Sequence, residues 1–415
     1  MDAELQQRIM TEARAEAGRR QYPAGFPTLP EIPGGRYISD AFHQLEREHV
    51  WRSSWLCAGR EEDVPEVGSY VLFDKLGSPI LVVRGRDRKV RAFFNTCRHR
   101  GAPVVAGREG CARLLRCQYH SWAYDLEGRL VQVPDDYDFA GLDKDTRGLI
   151  PVACETWGGW IFVSQAPETD LATAWGPLFR EWECMGMDRL RITARRSDII
   201  RCNWKAAVDA FQEIYHISTL HPSSVGAILN SSAAAVGLLP GGHSRMVALL
   251  KEGDQDRPVS TGAAIADLPE LHRRTSVAYA GFPNLITPFG AAGLHFLLFW
   301  PRGVGECEMQ TIGLGVDWGD GPVPEAWRQA EAGFDHVLDE DIENMSKIQA
   351  SLESGAFTGM MLGYRERKIY WMHESLDACI GLERIPPGLA VPPRLGPFVE
   401  ADGAIASGVE THGAL

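Results

Sequence analysis

The chain has 415 residues, of which 45% are hydrophobic and 23% are charged, an ordinary globular composition that excludes a disordered chain. Its 55 acidic residues outnumber its 42 basic residues and give a net charge of −13, which argues against binding to nucleic acid or to an anionic membrane. No run of 18 apolar residues is present, and the charged N-terminus lacks the apolar core of a secretory signal.

Nine cysteines occur without the spacing of a disulfide scaffold, which favours a reducing compartment. We therefore predict a soluble, cytoplasmic protein with neither a nucleic-acid partner nor a membrane partner. The length allows two or three domains.

The chain up to residue 166 contains three stretches with different patterns. Residues 1–20 are charged and helical in pattern, and the stretch 22–35 is rich in proline and glycine, which predicts a linker. From 50 to 166 short β-type runs alternate with turns, which predicts a small antiparallel β domain. The runs are SYVLFD, SPILVVRG, KVRAFFN, RLLRCQYHSWAYD, GRLVQV and GGWIFVSQ.

Residues 167–415 mix helical and strand patterns. Helices are predicted at 204–221 and 325–352, and strands at 243–251 and 294–300. The last fifteen or so residues have the composition of a loose tail. Together with the β domain, this region predicts an α+β fold in two domains.

Two pairs of cysteine and histidine stand in the β domain. Cys97-x-His99 lies in the segment CRHRGAP, and Cys117-x-x-His120 follows in CQYHSW after seventeen intervening residues. Two thiolates and two imidazoles are the ligands of a Rieske [2Fe–2S] cluster, in which histidine replaces cysteine on one iron and raises the reduction potential. We predict that these four residues bind such a cluster.

A structural zinc site would use the same residue types, and it is the alternative for these four residues. Zinc loops usually space their ligands two to four residues apart. The single residue between Cys97 and His99 better suits two ligands that point to different metals. Cys111 lies between the two loops without a paired histidine and is expected to be a buried thiol.

A second group of ligand-type residues lies in the segment NWKAAVDAFQEIYHISTLHP, which contains Glu213, His216 and His221. In a continuous helix Glu213 and His216 share one face, whereas the two histidines lie about 140° apart. The helix must therefore loosen between the histidines if both are to bind one metal, and Pro222 is consistent with such an ending. The His-Glu-x-x-His pattern of zinc proteases is absent.

Two histidines and a carboxylate form the facial triad of non-haem Fe(II) oxygenases, which leaves positions open for dioxygen. In the predicted helix, Asp341 falls inside an apolar stripe, and an acid facing the core requires a compensating cation or hydrogen bonds. We predict that Asp341 is a metal ligand, and an ion pair with arginine or lysine is the alternative. The stripe consists of Phe334, Leu338, Met345, Ile348 and Leu352, and the acids outside it are Asp339, Glu340 and Glu343.

The segment FFNTCRHRGAPVV…RCQYHSWAYDLEGRL resembles the Rieske domain of the ring-hydroxylating oxygenase α-subunit family, the catalytic subunits of Rieske non-haem iron oxygenases. The resemblance implies that the two cysteines bind one iron of the cluster and the two histidines bind the other. Gln118 and Ser121 stand where that family frequently has proline and glycine, so the local shape of the second loop is less certain than its ligands.

The resemblance extends to the second group of residues. NWK…E-x-Y-H-x4-H-P resembles the family's mononuclear-iron motif, and DEDIENM resembles the segment with its third ligand. This implies that His216, His221 and Asp341 bind a mononuclear Fe(II). Glu213 corresponds to the acid that links the two metal centres, which in the family's head-to-tail trimers meets a cluster histidine of the neighbouring subunit, here His120. A solvated acid is the alternative for Glu213.

The resemblance also implies the domain organisation. Residues 50–166 are expected to form an antiparallel β Rieske domain, and residues 167–415 a helix-grip-like catalytic domain with an antiparallel sheet and long helices. Residues 1–49 are expected to pack on the catalytic domain as an N-terminal helix and linker. The apolar segments 225–239 and 294–300 suit a hydrophobic pocket, although ordinary core is the other interpretation.

The function implied is that of a terminal oxygenase. Such an enzyme uses O2 and electrons from a ferredoxin or a flavin reductase, and indirectly from NAD(P)H, to hydroxylate an aromatic or other hydrophobic small molecule. Oxidative N- or O-demethylation of a methylated amine or methoxy compound is the alternative reaction. A non-catalytic Rieske electron carrier and a zinc-bound module are the other classes. The expected assembly is a homotrimer, with or without a β-subunit.

Overall fold

The computed structural model describes residues 1, 3–251, 268–290 and 293–400. The predicted tail after residue 400 lies outside these residues. The chain divides into two compact units, one of Trp51–Leu171 and one of Met1–Val50 together with Ala172–Leu415. No helix in the described ranges is long and apolar enough to cross a membrane.

The α-helices in the described residues are α1 (Ala3–Gly18), α2 (Asp40–Leu45), α3 (Leu171–Trp182), α4 (Trp204–Ala210), α5 (Ile217–Leu220), α6 (Val225–Ile228), α7 (Glu270–Arg274), α8 (Glu325–Glu353) and α9 (Arg367–Ile380). The strands are β1 (Ile32–Pro33), β2 (Leu56–Arg60), β3 (Ser69–Phe73), β4 (Ile80–Arg84), β5 (Val90–Phe94), β6 (Glu109–Cys111), β7 (Leu115–Arg116), β8 (Ala123–Tyr124), β9 (Leu130–Gln132), β10 (Pro151–Trp157), β11 (Trp160–Ser164), β12 (Leu190–Ile200), β13 (Leu229–Leu238), β14 (Ser244–Leu250), β15 (Thr275–Gly281), β16 (Leu285–Gly290), β17 (Gly293–Gly303), β18 (Glu306–Val316) and β19 (Gly359–Met360).

The unit of residues 51–171 is built from antiparallel strands. Its main sheet has the order β2–β11–β10–β5–β4–β3–β6, and a small second sheet has the order β7–β8–β9. Its core contains Leu81, Phe93, Leu115 and Trp122. The predicted antiparallel β domain is confirmed.

Two details of this unit differ from the sequence predictions. The run RLLRCQYHSWAYD is not one strand, because a loop with its own backbone hydrogen bonds separates β7 from β8. Cys111 is exposed instead of buried, because β6 is the edge strand of its sheet and turns that residue toward solvent. An edge position has no second neighbouring strand to cover it.

The larger unit contains a seven-stranded antiparallel sheet with the order β12–β18–β17–β16–β15–β14–β13. Helix α8 packs along β12, and α1 packs on β13 and β14. The predicted α+β class, with an antiparallel sheet and long helices, is confirmed.

The approach of α8 to the sheet depends on a glycine. A Cβ atom at Gly315 of β18 would lie 2.6 Å from the ring of Trp327, so no larger residue fits there without a shift. Glu331 of α8 accepts hydrogen bonds from Thr193 on β12 and from Nε2 of His295 on β17, the latter at 3.0 Å. These contacts set the position of the helix that carries Asp341.

The predicted apolar stripe of α8 is correct at four of its five members and wrong at Ile348. Ile348 is 37% exposed, whereas Gln349 is 4% exposed and accepts a hydrogen bond of 2.8 Å from the backbone N–H of Asn203. At about 100° per residue, position 349 lies almost directly above Leu338, and position 348 is turned away from it. The buried face therefore follows an eleven-residue repeat at this end of the helix.

The N-terminal segment fixes the start of α4. Nζ of Lys205 lies 2.7 Å from Oε1 of Glu46, and both side chains are fully buried. Nε1 of Trp204 donates to the other carboxylate oxygen of Glu46 at 3.1 Å. Breaking a buried ion pair of this kind costs about 3–5 kcal/mol, so residues before position 50 stabilise the helix that leads to the second group of ligand-type residues.

Candidate active site

The two cysteine–histidine loops have the same backbone design. The N–H of Cys97 and of Cys117 each donates to the carbonyl oxygen five residues later, and each cysteine carbonyl accepts from the N–H four residues later. That fourth residue is Gly101 with φ of 76° in the first loop and Ser121 with φ of 58° in the second. Ser121 thus adopts the left-handed conformation that glycine favours, and the second loop has the same backbone hydrogen bonds as the first.

The four predicted cluster ligands lie together on these loops. Cys97 and Cys117 are 3% and 2% exposed, and burial is the main cause of the raised pKa of the Cys97 thiol. The ring centroids of His99 and His120 are 4.5 Å apart. Nδ1 of His99 is buried without a hydrogen-bond partner in the described part of the chain, as expected of a nitrogen that binds a metal. The donor set therefore fits a Rieske cluster.

Tyr124 also belongs to this site, although the ligand pattern did not indicate it. Its hydroxyl oxygen accepts a hydrogen bond of 2.9 Å from the N–H of Arg98 and lies 3.3 Å from Sγ of Cys97. Because the oxygen already accepts from Arg98, its proton is free to be donated to the sulfur. Burial raises the pKa of Tyr124, and the adjacent Cys97 raises it further, so this proton is retained.

The second group of residues lies in an irregular turn instead of a continuous helix. Helix α4 ends at Ala210 and α5 begins at Ile217, so the predicted helix over 204–221 is wrong between them. Glu213 and His216 do not share a helix face. The carboxylate of Glu213 accepts hydrogen bonds from the backbone N–H groups of Tyr215 and His216, and it also contacts Nδ1 of His216. These side-chain contacts replace the hydrogen bonds of a continuing helix.

Asp341 and the two histidines meet at one point. Oδ1 of Asp341 lies 3.1 Å from Nε2 of His221 and 3.7 Å from Nε2 of His216, and the three ligand atoms are within 4.8 Å of one another. Two adjacent ligands, each about 2.1 Å from one metal ion, lie about 3 Å apart. The set of two imidazoles and one carboxylate therefore fits a single metal of the facial-triad type.

Electrostatics support a buried cation at this point. Asp341 is 5% exposed and His221 is 1% exposed, and no lysine or arginine pairs with Asp341 among the residues described. Burial disfavours the protonated form of His221, but hydrogen bonds to Asp341 and Glu340 outweigh this effect and raise the pKa of His221. An arginine or lysine partner, the alternative for Asp341, is not present in this part of the structure.

A cavity of about 130 Å³ opens beside the triad, and its mostly apolar lining is typical of small-molecule sites. The described residues that line it are mostly apolar, and its charged members are Glu213 and Asp341. One wall comes from Ala210, Phe211, Glu213, Ile214, His216, Ile217, His221, Val225 and Leu229, a second from Met246, Ala248, Ser276, Ala278, Ile286 and Pro288 of the sheet, and a third from Phe334, Val337, Leu338 and Asp341 of α8. Of the two predicted pocket segments, 225–239 contributes Val225 and Leu229, whereas 294–300 is core.

Two family models match the chain. Residues 54–142 match the Rieske [2Fe-2S] domain, and residues 179–382 match the catalytic domain of the ring hydroxylating alpha subunit. The first range contains all four cysteine and histidine residues of the two loops, and the second contains Glu213, His216, His221 and Asp341.

Several characterised proteins are similar in sequence. The oxygenase subunit of carnitine monooxygenase from Escherichia coli (strain K12) is 32% identical over 208 residues, which cover 48% of this chain and 55% of that protein. The α subunit of biphenyl 2,3-dioxygenase from Rhodococcus jostii (strain RHA1) is 32% identical over 275 residues, which cover 64% of this chain and 55% of that subunit. The chain thus spans about half the length of the relatives it matches.

Solved structures share the fold. A quaternary ammonium Rieske monooxygenase superposes with a TM-score of 0.73 at 19% identity, covering 87% of this chain and 99% of that one. Naphthalene 1,2-dioxygenase from Rhodococcus sp. superposes with a TM-score of 0.70 at 22% identity, covering 91% of this chain and 97% of that one. At these identities the likeness concerns the fold.

Proposed function

Because the chain belongs to the family of Rieske ring-hydroxylating oxygenase α subunits, we propose that it is a terminal oxygenase, which uses O2 and electrons from a donor protein to oxidise a hydrophobic small molecule. The chain has a Rieske [2Fe–2S] domain and a catalytic domain of the kind that binds mononuclear iron. The observation that carries the proposal is the convergence of His216, His221 and Asp341 beside an apolar cavity.

We assign residues to two domains and two metal centres. Residues 50–166 form the Rieske domain, residues 167–415 form the catalytic domain, and residues 1–49 accompany the latter; the matched ranges and the two compact units support this division. The [2Fe–2S] ligands are Cys97, His99, Cys117 and His120, the mononuclear iron ligands are His216, His221 and Asp341, and the acid between the two centres is Glu213.

When bound, the two metal groups store the electrons and activate dioxygen. The protein residues position and shield them. The apolar walls keep water away from the substrate, and Phe211 and Phe334 add aromatic side chains to the lining. Glu213 holds Nδ1 of His216, so the other nitrogen of that ring, Nε2, is the one turned toward Asp341.

The cavity lining favours an uncharged substrate. Among the described lining residues, no lysine or arginine is available to bind a carboxylate, and Ser276 is the one hydroxyl group. A buried, unpaired carboxylate would cost several kcal/mol. We therefore propose hydroxylation of a neutral aromatic or other hydrophobic compound, and not of an aromatic acid.

Oxidative demethylation is the second candidate reaction. It is supported by the 32% identity to a carnitine monooxygenase subunit and by the fold shared with a quaternary ammonium monooxygenase. The lining argues against a substrate that is both quaternary ammonium and carboxylate, because the described residues include no cationic partner for the carboxylate. A neutral N-methyl or methoxy compound fits the same walls.

The partners follow from the family. We propose a ferredoxin or a flavin reductase as the electron donor, with NAD(P)H as the ultimate source, and a homotrimer in the cytoplasm as the working assembly, with or without a β-subunit. Inter-subunit electron transfer in a quaternary ammonium Rieske monooxygenase of the same fold supports transfer between subunits here. In a head-to-tail trimer Glu213 of one subunit would meet His120 of its neighbour.

The experiment is a single turnover of the full chain. Purified protein is assayed for iron and acid-labile sulfide, reduced chemically, and exposed to labelled O2 with neutral aromatics, aromatic acids or methylated amines. We expect labelled oxygen in a neutral aromatic product, or formaldehyde from a neutral methylated compound. Zinc in place of iron, or cluster reoxidation without labelled product or formaldehyde from any compound class, would contradict the proposal.

A further inference from the structure

The two histidines of the mononuclear site each contact a second carboxylate through Nδ1, but in different surroundings. Nδ1 of His216 contacts Glu213, and His216 is 24% exposed. Nδ1 of His221 lies 2.7 Å from Oε2 of Glu340, and His221 is 1% exposed. The buried histidine therefore has its own carboxylate partner, which the sequence patterns did not indicate.

Glu340 and Asp341 contact opposite nitrogens of the same imidazole. Oδ1 of Asp341 is 3.1 Å from Nε2 of His221, whereas Oε2 of Glu340 is 2.7 Å from Nδ1. Consecutive residues of a helix point about 100° apart, so two neighbouring acids of α8 can enclose a ring that comes from another segment. One acid lies on the metal side of the ring and the other lies behind it.

The carboxylate of Glu340 and the backbone of His221 are both held in place. Oγ of Ser224 donates to the same Oε2 atom of Glu340 at 2.7 Å. The N–H of Gly226 donates to the carbonyl oxygen of His221 at 3.0 Å, and a Cβ atom at Gly226 would collide with that oxygen. The ring of His221 is thus fixed at its backbone and at the nitrogen away from Asp341.

We propose that Glu340 is a positioning residue of the mononuclear iron site, which accepts the Nδ1 proton of His221 and thereby keeps Nε2 unprotonated and directed at the metal. This proposal rests on the proposed function, because it takes His221 and Asp341 as iron ligands. A carboxylate behind a metal-bound histidine fixes its orientation and makes it a stronger ligand, and losing such a partner typically weakens metal binding or activity about 10- to 100-fold.

The chain offers a matched control on the same helix. Glu343 is 78% exposed on α8 and pairs only with Lys347, at 2.8 Å, among the described residues. Replacing Glu343 with glutamine removes the same charge from the same helix without contact to either histidine. Any effect of net charge or of helix stability would appear in this variant as well.

The test measures iron release instead of turnover. Full-length parent, Glu340→Ala, Glu340→Gln and Glu343→Gln proteins are mixed with an Fe(II) chelator, and the visible absorption of the cluster serves as the internal reference. We expect mononuclear iron to leave Glu340→Ala about 10- to 100-fold faster than the parent. Glu340→Gln should be intermediate, because its amide oxygen still accepts the Nδ1 proton but is uncharged, and Glu343→Gln should match the parent.

The results of this experiment distinguish a failure of the Glu340 proposal from a failure of the proposed iron site. Equal release from Glu340→Ala and parent would overturn the role of Glu340 and leave the iron site standing. A parent protein that contains only the cluster iron would overturn both. If Glu340→Ala does not fold, Ser224→Ala replaces it: loss of the hydroxyl should still accelerate release, and an unchanged rate would count against the proposal.

Discussion

The two candidate metal centres are held by different parts of the polypeptide. On the loops of Cys97 and Cys117, backbone hydrogen bonds and two left-handed residues set the shape, and the ligands follow within a few positions of one another. At His216 and His221 the backbone is an irregular turn, and the side chains of Glu213 and Glu340 fix the rings. One centre depends on main-chain conformation, and the other depends on carboxylates.

This difference determines which substitutions should damage each centre. A site shaped by backbone should respond to changes in conformational preference, even where no ligand is touched. A site oriented by side chains should tolerate such changes and respond to the loss of a carboxylate. The predictions below test this division, beginning with the ligands themselves.

The largest effects are expected at the ligands. Cys97→Ser should abolish the visible absorption of the cluster, whereas His221→Ala should keep that absorption, abolish turnover and reduce iron to about the two atoms per chain of the cluster. The reason is that each ligand set lies within one compact unit and folds around its own metal. The measurements are absorption spectra and iron content. Loss of the cluster absorption in His221→Ala would contradict the separation of the two sites.

The next effect concerns Glu213. Glu213→Gln should keep both metals but slow reoxidation of the reduced cluster, in the presence of substrate and O2, by about 10- to 100-fold. Glutamine is nearly isosteric, but it carries no negative charge between two metal-bound imidazoles. Stopped-flow absorption measures this rate, and Glu325→Gln, at an exposed position in the first turn of α8, is the control. An unaltered rate would mean that Glu213 supports the turn and the His216 ring but does not link the two centres.

A smaller effect is expected at the cluster from Tyr124→Phe. A hydrogen bond to sulfur stabilises the reduced cluster more than the oxidised one, because reduction adds negative charge. Removing a contribution of about 1 kcal/mol should lower the one-electron potential by roughly 40 mV. A redox titration followed by absorption measures the potential. Tyr70→Phe in the same unit, whose hydroxyl lies beside Gly107 and Gly110, is the control. Equal potentials in Tyr124→Phe and parent would contradict the hydrogen bond.

The smallest effect compares equivalent positions of the two cluster loops. Ser121→Gly should raise the free energy of unfolding of the Rieske unit by up to about 1 kcal/mol, because glycine adopts a positive φ without the cost that serine incurs. Gly101→Ala should lower the free energy of unfolding by a similar amount, because alanine incurs the cost of a positive φ that glycine avoids. A Cβ atom at position 101 meets no other atom within 4 Å, so a steric clash adds nothing to this effect. Thermal loss of the cluster absorption measures both. Opposite shifts would support the dependence on backbone conformation, and no shift in either would contradict it.

The sequence predicted the fold class and the family because the relevant signals are local. Strand alternation, the spacing of Cys97, His99, Cys117 and His120, and the stripe around Asp341 can all be read within short windows. The roles of the individual ligands stay predictions, although the structure brings them together as expected. The prediction that Ile348 is buried was wrong because the buried face shifts gradually around the helix along its length.

Other features depend on contacts that no short window contains. In the turn after α4, the carboxylate of Glu213 accepts hydrogen bonds from the backbone N–H groups of Tyr215 and His216. Tyr124 reaches Cys97 across 27 positions, and Glu340 reaches His221 across 119 positions. Periodicity correctly placed Glu340 outside the apolar stripe. Periodicity could not indicate that this partly exposed acid contacts the buried His221.

The walls of the cavity come from separate elements, so the cavity and the proposed ligands can vary independently. Sheet strands β14, β15 and β16 contribute Met246, Ala248, Ser276, Ala278, Ile286 and Pro288, and none of these residues is itself a proposed ligand. Substitutions there would change the cavity without replacing any of the proposed iron ligands, which lie on the turn after α4, at His221 and on α8. The shape of the cavity could therefore vary among relatives through changes in three neighbouring strands, with every proposed ligand retained.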